Sequence, residues 1–163
     1  MYNRIMVPLD GSDLAECVLP HVEKFIACGQ VDTVVFVRVI EPAPTRFDDT
    51  AALSNTTREQ IIEVSRIIEE KRISNAVAYL EGVAKRLKRD GTEIKTEVLI
   101  GNVADSLAEY SEANNIKLII IATHGRSGIS RWVRGSIADR VLRFSRVPVL
   151  MVQADRASRQ GRV

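Results

Sequence analysis

Five short apolar segments, rich in β-branched residues, predict five strands. They read RIMVPL at 4–9, TVVFVRVI at 33–40, EIKTEVLI at 93–100, KLIIIAT at 117–123 and VPVLMVQ at 147–153. Several of these segments are apolar at consecutive positions instead of alternate ones. That pattern is typical of parallel strands that are covered on both faces.

Segments with helical periodicity lie between the predicted strands. The first begins near Ala15, where Asp13 and Glu16 resemble a capping pair, and Pro20 inside it predicts a kink or a delayed start. The next three are predicted from Thr57 to Asp90, from Val103 to Asn114 with Asn102 as the cap, and from Ser136, where Ser136 and Asp139 match a capping box.

Apolar stripes on these helices predict which positions face the core. The stripe of the long helix comprises Ile61, Val64, Ile68, Ile73, Val77, Leu80, Ala84 and Leu87, and that of the last helix comprises Ile137, Val141 and Leu142. Strands that alternate with helices predict an α/β fold, an open five-stranded parallel sheet with right-handed crossovers and helices on both faces.

Length and composition favour one globular domain. The chain has 163 residues, 45% of them hydrophobic and 27% charged, with a formal net charge of +2. We expect a domain at 1–153, then a basic tail at 154–163 without stable structure. The small net charge does not favour nucleic acid as a partner, and no apolar run is long enough for a membrane span, so we expect a cytoplasmic protein.

The two cysteines, Cys17 and Cys28, do not indicate a disulfide or a metal site. They lie eleven residues apart on one predicted helix, about 16 Å along its axis, which is too far for a bridge. They form no CxxC pair and have no neighbouring pair of histidines. We therefore predict no metal-binding residues.

Two motifs lie at predicted strand ends, where open parallel sheets bind their ligands. PLDGS at 8–12 follows the first strand, and ATHG at 122–125 ends the fourth. If these two strands are neighbours, their loops face each other across one cleft. A carboxylate at such a strand end, here Asp10, is a common ribose anchor, although a turn or capping role for Asp10 is the alternative.

The loop after the fourth strand has the attributes of a phosphate cradle. Gly125 and Gly128 let the backbone approach an anion, and Gly135 with Ser136 places N–H groups at a helix start. Between Arg126 and residue 146 there are six arginines and one acid, a local balance of 6 − 1 = +5. The alternative is a tight connection with a solvated arginine face, because neither a Walker A nor a GxGxxG motif is present.

PLDGS, RVIEP at 38–42 and ATHGRSGISRWVRGSIADRVLRFSRVPVLMV at 122–152 together resemble a universal stress protein domain. ATP-binding members resemble one another in a motif of glycine, two residues, glycine, nine residues, then glycine and serine or threonine. Gly125, Gly135 and Ser136 match this motif, whereas Ala122 stands at its first glycine.

The resemblance implies a Rossmann-like, adenine nucleotide α-hydrolase-like sheet in the strand order 3-2-1-4-5, and ATP, which Mg²⁺ can accompany, as the ligand. Asp10 would accept hydrogen bonds from the ribose hydroxyls, the main chain of Val39 would frame the adenine, and Gly125, Gly135 and Ser136 would hold the triphosphate. The predicted nucleotide-binding set is Pro8, Asp10, Val39, Ala122, His124, Gly125, Arg126, Gly128, Gly135 and Ser136.

The resemblance also implies a homodimer formed by pairing of the last strands, at 147–152. The leading interpretation is an ATP-binding universal stress protein that acts as a nucleotide-dependent sensor or regulator, with no catalytic residues assigned. Two alternatives stay open. One is a slow ATPase or a transferase that uses the same cleft, and the other is a dimeric scaffold that binds no nucleotide.

Overall fold

The computed structural model describes residues 2–42, 55–87, 91–123 and 137–154. Six of the predicted binding residues lie outside these ranges: His124, Gly125, Arg126, Gly128, Gly135 and Ser136. The tail beyond residue 154 also lies outside them.

All strands of the described chain join one parallel sheet. They are β1 (Arg4–Pro8), β2 (Thr33–Ile40), β3 (Glu93–Ile100), β4 (Leu118–Thr123) and β5 (Val149–Gln153). The sheet order is β3-β2-β1-β4-β5, and every pairing is parallel. The predicted fold and strand order are therefore confirmed.

The hydrophobic pattern of each strand follows its place in the sheet. The middle strands β1, β2 and β4 are buried at most positions, whereas the edge strands β3 and β5 are largely half-buried or exposed. Consecutive apolar residues are needed where helices cover both faces, because adjacent side chains point to opposite sides.

Helices cover the two faces of the sheet. They are α1 (Asp13–Glu16), α2 (Leu19–Ala27), α3 (Asn55–Leu87), α4 (Val103–Ala113) and α5 (Ile137–Phe144). Val7 and Phe36 pack with Leu80 of α3 on one face, and Met6 packs with Leu107 of α4 on the other.

Pro20 divides the first helical region, as predicted. α1 ends at Glu16, and α2 begins at Leu19 with Pro20 in its first turn, where no backbone N–H is needed. The predicted capping pair is wrong, because Ser12 is the N-cap and its Oγ accepts from the Ala15 N–H at 3.1 Å. The Glu16 side chain is instead bonded to α3.

Asn102 caps α4, as predicted. Its Oδ1 accepts hydrogen bonds from the N–H groups of Ala104 and Asp105, at 3.2 and 3.4 Å. The start of α4 is thereby fixed directly behind the carboxyl end of β3.

The long helix α3 packs on the sheet along its C-terminal half only. Leu80 and Leu87 are buried as predicted, but Ile61, Val64 and Ile68 are 42%, 55% and 55% exposed, so the predicted inward stripe is wrong in the N-terminal half. The inward assignment of Val77, in the C-terminal half, is also wrong, since this side chain is 38% exposed. Thirty-three helical residues span about 50 Å, whereas eight-residue strands span about 26 Å. The first turns of α3 therefore extend past the sheet.

The shorter helix α5 buries a narrow stripe. Val141 is buried as predicted, and Ala138 lies beside it in the same core cluster. The inward assignment of Ile137 and Leu142 is wrong, since these side chains are 47% and 50% exposed. An apolar surface therefore remains on α5, next to β5.

Candidate functional site

The strand order reverses between β1 and β4, which are hydrogen-bonded neighbours. Ile5 is paired with Leu118 and Met6 with Ile119, so the two strands run together to the same edge of the sheet. The chain leaves β1 towards α1 on one face, and α5 packs against the opposite face. A crevice at this carboxyl edge is the usual binding place of an open α/β sheet.

Asp10 lies at this edge, two residues after the end of β1, with its carboxylate held by a local turn. Its Oδ1 accepts from the Ser12 N–H at 2.8 Å and from the Ser12 hydroxyl at 2.6 Å. The side chain is exposed. The turn thus fixes the carboxylate through Oδ1, and among the described residues Oδ2 has no hydrogen-bond donor. These bonds also order the start of α1, which is the turn role considered as the alternative for Asp10.

Gly11 brings the Asp10 loop against Arg38, near the end of β2. Gly11 has φ +91°, and a Cβ there would lie 3.1 Å from Nη1 of Arg38. The backbone conformation therefore favours glycine, and a side chain at this position would also have to displace the end of the Arg38 side chain. This contact was not predicted from the sequence, although an arginine in the otherwise apolar strand TVVFVRVI is a signal that could have indicated it.

The aromatic ring of Tyr79 on α3 holds the Arg38 guanidinium, with 5.5 Å between Cζ and the ring centroid. The Tyr79 hydroxyl donates to Oε1 of Glu16 at 3.0 Å, and Arg86 is bonded to Oε2 of the same carboxylate at 2.9 Å. Burial, and then the hydrogen bond and charge of Glu16, raise the pKa of the Tyr79 phenol. The ring that faces Arg38 is therefore a neutral phenol.

A cavity of about 350 Å³ opens at the carboxyl end of β2. It lies between α3 and the start of α4, and it is lined by Arg38, Val39, Ile40, Glu41, Arg72, Asn75 and Val103. Arg72 donates to the main-chain oxygen of Glu41 at 3.1 Å, which ties α3 to this strand end. The cavity thus brings Val39, predicted to frame the adenine, next to two guanidinium groups.

The other described members of the predicted set lie along the same edge. Pro8 is the last residue of β1, and Ala122 precedes the last residue of β4. Pro8, Asp10, Val39 and Ala122 are therefore at the carboxyl ends of three adjacent strands. The predicted phosphate contacts of the following loop lie outside the described residues.

Within the described ranges, no group of three or more His, Cys, Asp or Glu side chains is arranged to hold a metal ion. Of the helices in these ranges, none is both long and apolar enough to cross a membrane.

Comparison with known proteins connects this arrangement to a family. The family model described as "Universal stress protein family" matches residues 1–153. The chain belongs to the universal stress protein family. Universal stress protein MJ0577 of Methanocaldococcus jannaschii is 25% identical over 156 residues, covering 94% of this chain and 96% of that protein. Universal stress protein YxiE of Bacillus subtilis is 22% identical, covering 94% of this chain and all of YxiE.

Solved structures of other universal stress proteins share the fold. Hypothetical protein MJ0577 superimposes with a TM-score of 0.74 at 24% identity, over 96% of this chain and 99% of its own. A universal stress protein in complex with cAMP has a TM-score of 0.64 at 20% identity, over 94% and 98%. An AMP-bound family protein from Arabidopsis thaliana has a TM-score of 0.64 at 11% identity, over 98% and 96%.

Proposed function

We propose that this universal stress protein binds ATP at the carboxyl edge of β1, β2 and β4. The observation that carries the proposal is the Asp10 carboxylate, beside the point where the strand order reverses. Ser12 fixes one of its oxygens, and no described residue donates to the other. An open carboxylate oxygen at such a strand end suits the two hydroxyls of a ribose.

Three further features support an adenine nucleotide. Val39 lines a cavity together with Arg38, and Arg38 in turn approaches Gly11 beside Asp10. A base attached to a ribose at Asp10 would therefore have room beside the main chain of β2. The universal stress proteins of similar fold described above include one in complex with cAMP and one with AMP bound. The glycine and serine motif at Gly125, Gly135 and Ser136 supplies backbone amides for the phosphates.

The proposed action of the protein is regulatory. Bound ATP would shift the protein between two conformations or change its affinity for a partner. The free energy of that shift cannot exceed the difference between the free energies of ATP binding to the two conformations. Glu16 at the end of α1 contacts Tyr79 and Arg86, so α1, which follows the Asp10 loop, is joined to α3. α3 is therefore the element on which binding at Asp10 would act first.

An Asp10→Asn substitution tests the ribose contact. Asparagine keeps an Oδ1 acceptor for Ser12 and replaces only the open carboxylate oxygen. Loss of a charged hydrogen bond costs about 1.5–3 kcal/mol, so we expect the calorimetric Kd for MgATP to rise at least about tenfold. Asp13→Asn, the same change on the exposed first turn of α1, is the matched control and should leave the Kd within about twofold.

The outcomes separate the competing functions. Equal Kd values for the parent and Asp10→Asn would contradict the proposed ribose contact. Absence of binding to the parent at millimolar MgATP would favour the scaffold that binds no nucleotide. Steady release of phosphate from ATP would favour the slow ATPase.

We further propose that the protein is a homodimer, joined through the open edge of β5 at residues 147–152. β5 is an edge strand, paired on one side with β4. Leu142 and Phe144 of the adjacent α5 are 50% and 57% exposed, so apolar surface is available next to that edge. Edge strands of this kind pair readily with a second chain.

A further inference from the structure

We propose that Arg38 is a base-positioning residue: its guanidinium, backed by the Tyr79 ring, stacks on the adenine and so strengthens binding of the nucleotide through its base. This inference deepens the proposed function and rests on it, because a nucleotide must first occupy the edge beside Asp10. Three observations support this role of Arg38. They are the direction of the proposed site along the sheet, the groups next to the guanidinium, and the lack of an ion pair between Arg38 and any described carboxylate.

The order of the strands gives the direction of the ligand. The phosphates belong at the loop after β4, and the ribose belongs at Asp10 after β1. The next strand in the same direction is β2, and the cavity beside Val39 opens at its end. A base that continues the line from phosphate through ribose therefore enters the cavity that Arg38 lines.

Two contacts fix the Arg38 guanidinium beside this path. The Tyr79 ring lies 5.5 Å from Cζ, and the Gly11 backbone lies so close that an added Cβ would be 3.1 Å from Nη1. Since Gly11 adjoins Asp10, the guanidinium lies beside the loop that carries the proposed ribose contact. A planar cation held on one side by an aromatic ring is suited to stack on a second ring, that of the base.

The charge of Arg38 is unpaired in the described chain. None of the described carboxylates forms an ion pair with it, although Arg66, Arg86 and Arg146 all have such partners. Arg38 is also only partly exposed, whereas Arg72 on the same cavity is exposed and bonded to the Glu41 main chain. A half-buried guanidinium without a carboxylate gains most from an aromatic ligand surface, because partial desolvation strengthens cation–π contacts.

Calorimetry of MgATP and of inorganic tripolyphosphate on two variants tests the proposal. Arg38→Met keeps an apolar stem and removes the cation, and Arg38→Lys keeps the charge and removes the plane. We expect Arg38→Met to raise the Kd for ATP about tenfold and Arg38→Lys about fivefold, while the tripolyphosphate Kd changes less than about threefold. Arg66→Met, which removes the same charge from an exposed position on α3, should leave both Kd values unchanged.

Each other outcome counts against stacking. An ATP Kd within about twofold of the parent in both Arg38 variants would overturn the role of Arg38. If Arg38→Lys keeps the parent Kd for ATP while Arg38→Met weakens it, the effect is due to charge alone. An equal rise in the Kd for ATP and for tripolyphosphate would lead to the same conclusion. If the parent binds neither ligand, the nucleotide site as a whole is wrong, which is distinct from failure of Arg38 alone. Unfolding temperatures of all variants check that the fold is retained.

Discussion

At the scale of single residues, the site depends on contacts between segments that are distant in sequence. Strand-end motifs and family resemblance placed Asp10 and Val39 at the carboxyl edge of the sheet, where the structure has them, and their contacts with a nucleotide stay a prediction. The contact between Arg38 and Tyr79 could not be predicted, because it joins β2 to α3 across 41 positions and leaves no local pattern. Periodicity reports which face of a helix is apolar, but it does not report which polar groups meet across the fold.

The raised pKa of Tyr79 leads to a prediction about how the free energy of unfolding depends on pH. Its pKa is raised in the folded state by burial and by Glu16, from an ordinary value of 10.0. Above pH 10 the folded protein therefore holds this proton more tightly than the unfolded chain, so this stabilisation is complete below pH 10 and is lost as the pH rises through the folded-state pKa. Tyr79→Phe removes it.

Urea unfolding at about pH 8 and about pH 11 measures this difference. The parent should lose more free energy of unfolding between the two pH values than Tyr79→Phe, and Glu16→Gln should give an intermediate loss. Tyr110, whose pKa burial also raises, contributes equally to the parent and to both variants. Equal losses in the parent and in Tyr79→Phe would contradict the role of Tyr79.

At the scale of elements, α3 shows the limit of a hydrophobic stripe. Its N-terminal half has an apolar face at Ile61, Val64 and Ile68, with ion pairs of Arg66 to Glu63 and Glu70 on another side. The sequence predicted this amphipathic pattern correctly as a helix. The predicted bounds, 57–90, already make the helix about twice as long as the strands, but the stripe does not show which half of the helix lies on the sheet.

A pair of substitutions on α3 tests this division. Leu80 is fully buried against the sheet, so Leu80→Ala should lower the free energy of unfolding by about 2–5 kcal/mol. Ile68→Ala removes an exposed side chain, and alanine favours helix, so the change should stay within about 0.5 kcal/mol. Denaturant unfolding of both variants provides the measurement, and similar large losses would mean that the N-terminal half is packed.

At the scale of the whole molecule, alternation of strands and helices predicted the parallel α/β sheet, and resemblance supplied the strand order. The order matters for function, because it makes β1 and β4 neighbours and so brings their loops to one edge. The sequence could not predict which apolar residues of α5 stay exposed. Ile137, Val141 and Leu142 belong to one predicted apolar stripe, but only Val141 is buried.

The exposed surface beside β5 leads to a prediction on assembly. In Phe144→Asp a charge would enter the proposed interface, so the protein should sediment near its 18.1 kDa chain mass, while the parent sediments near twice that mass. Ile68→Asp places the same charge on the exposed part of α3 and should remain dimeric. A monomeric parent, or a dimer lost only in Ile68→Asp, would contradict assembly through β5.

A crystal structure of the protein grown with ATP and Mg²⁺ tests the central claim most directly, namely that a nucleotide binds along the carboxyl edge from β4 across β1 to β2. We predict ribose hydroxyls within hydrogen-bonding distance of Oδ2 of Asp10, the adenine in the cavity beside Val39, and the phosphates near Gly135. ATP bound elsewhere, or a cavity left empty while Asp10 keeps only its Ser12 contacts at saturating nucleotide, would contradict the account.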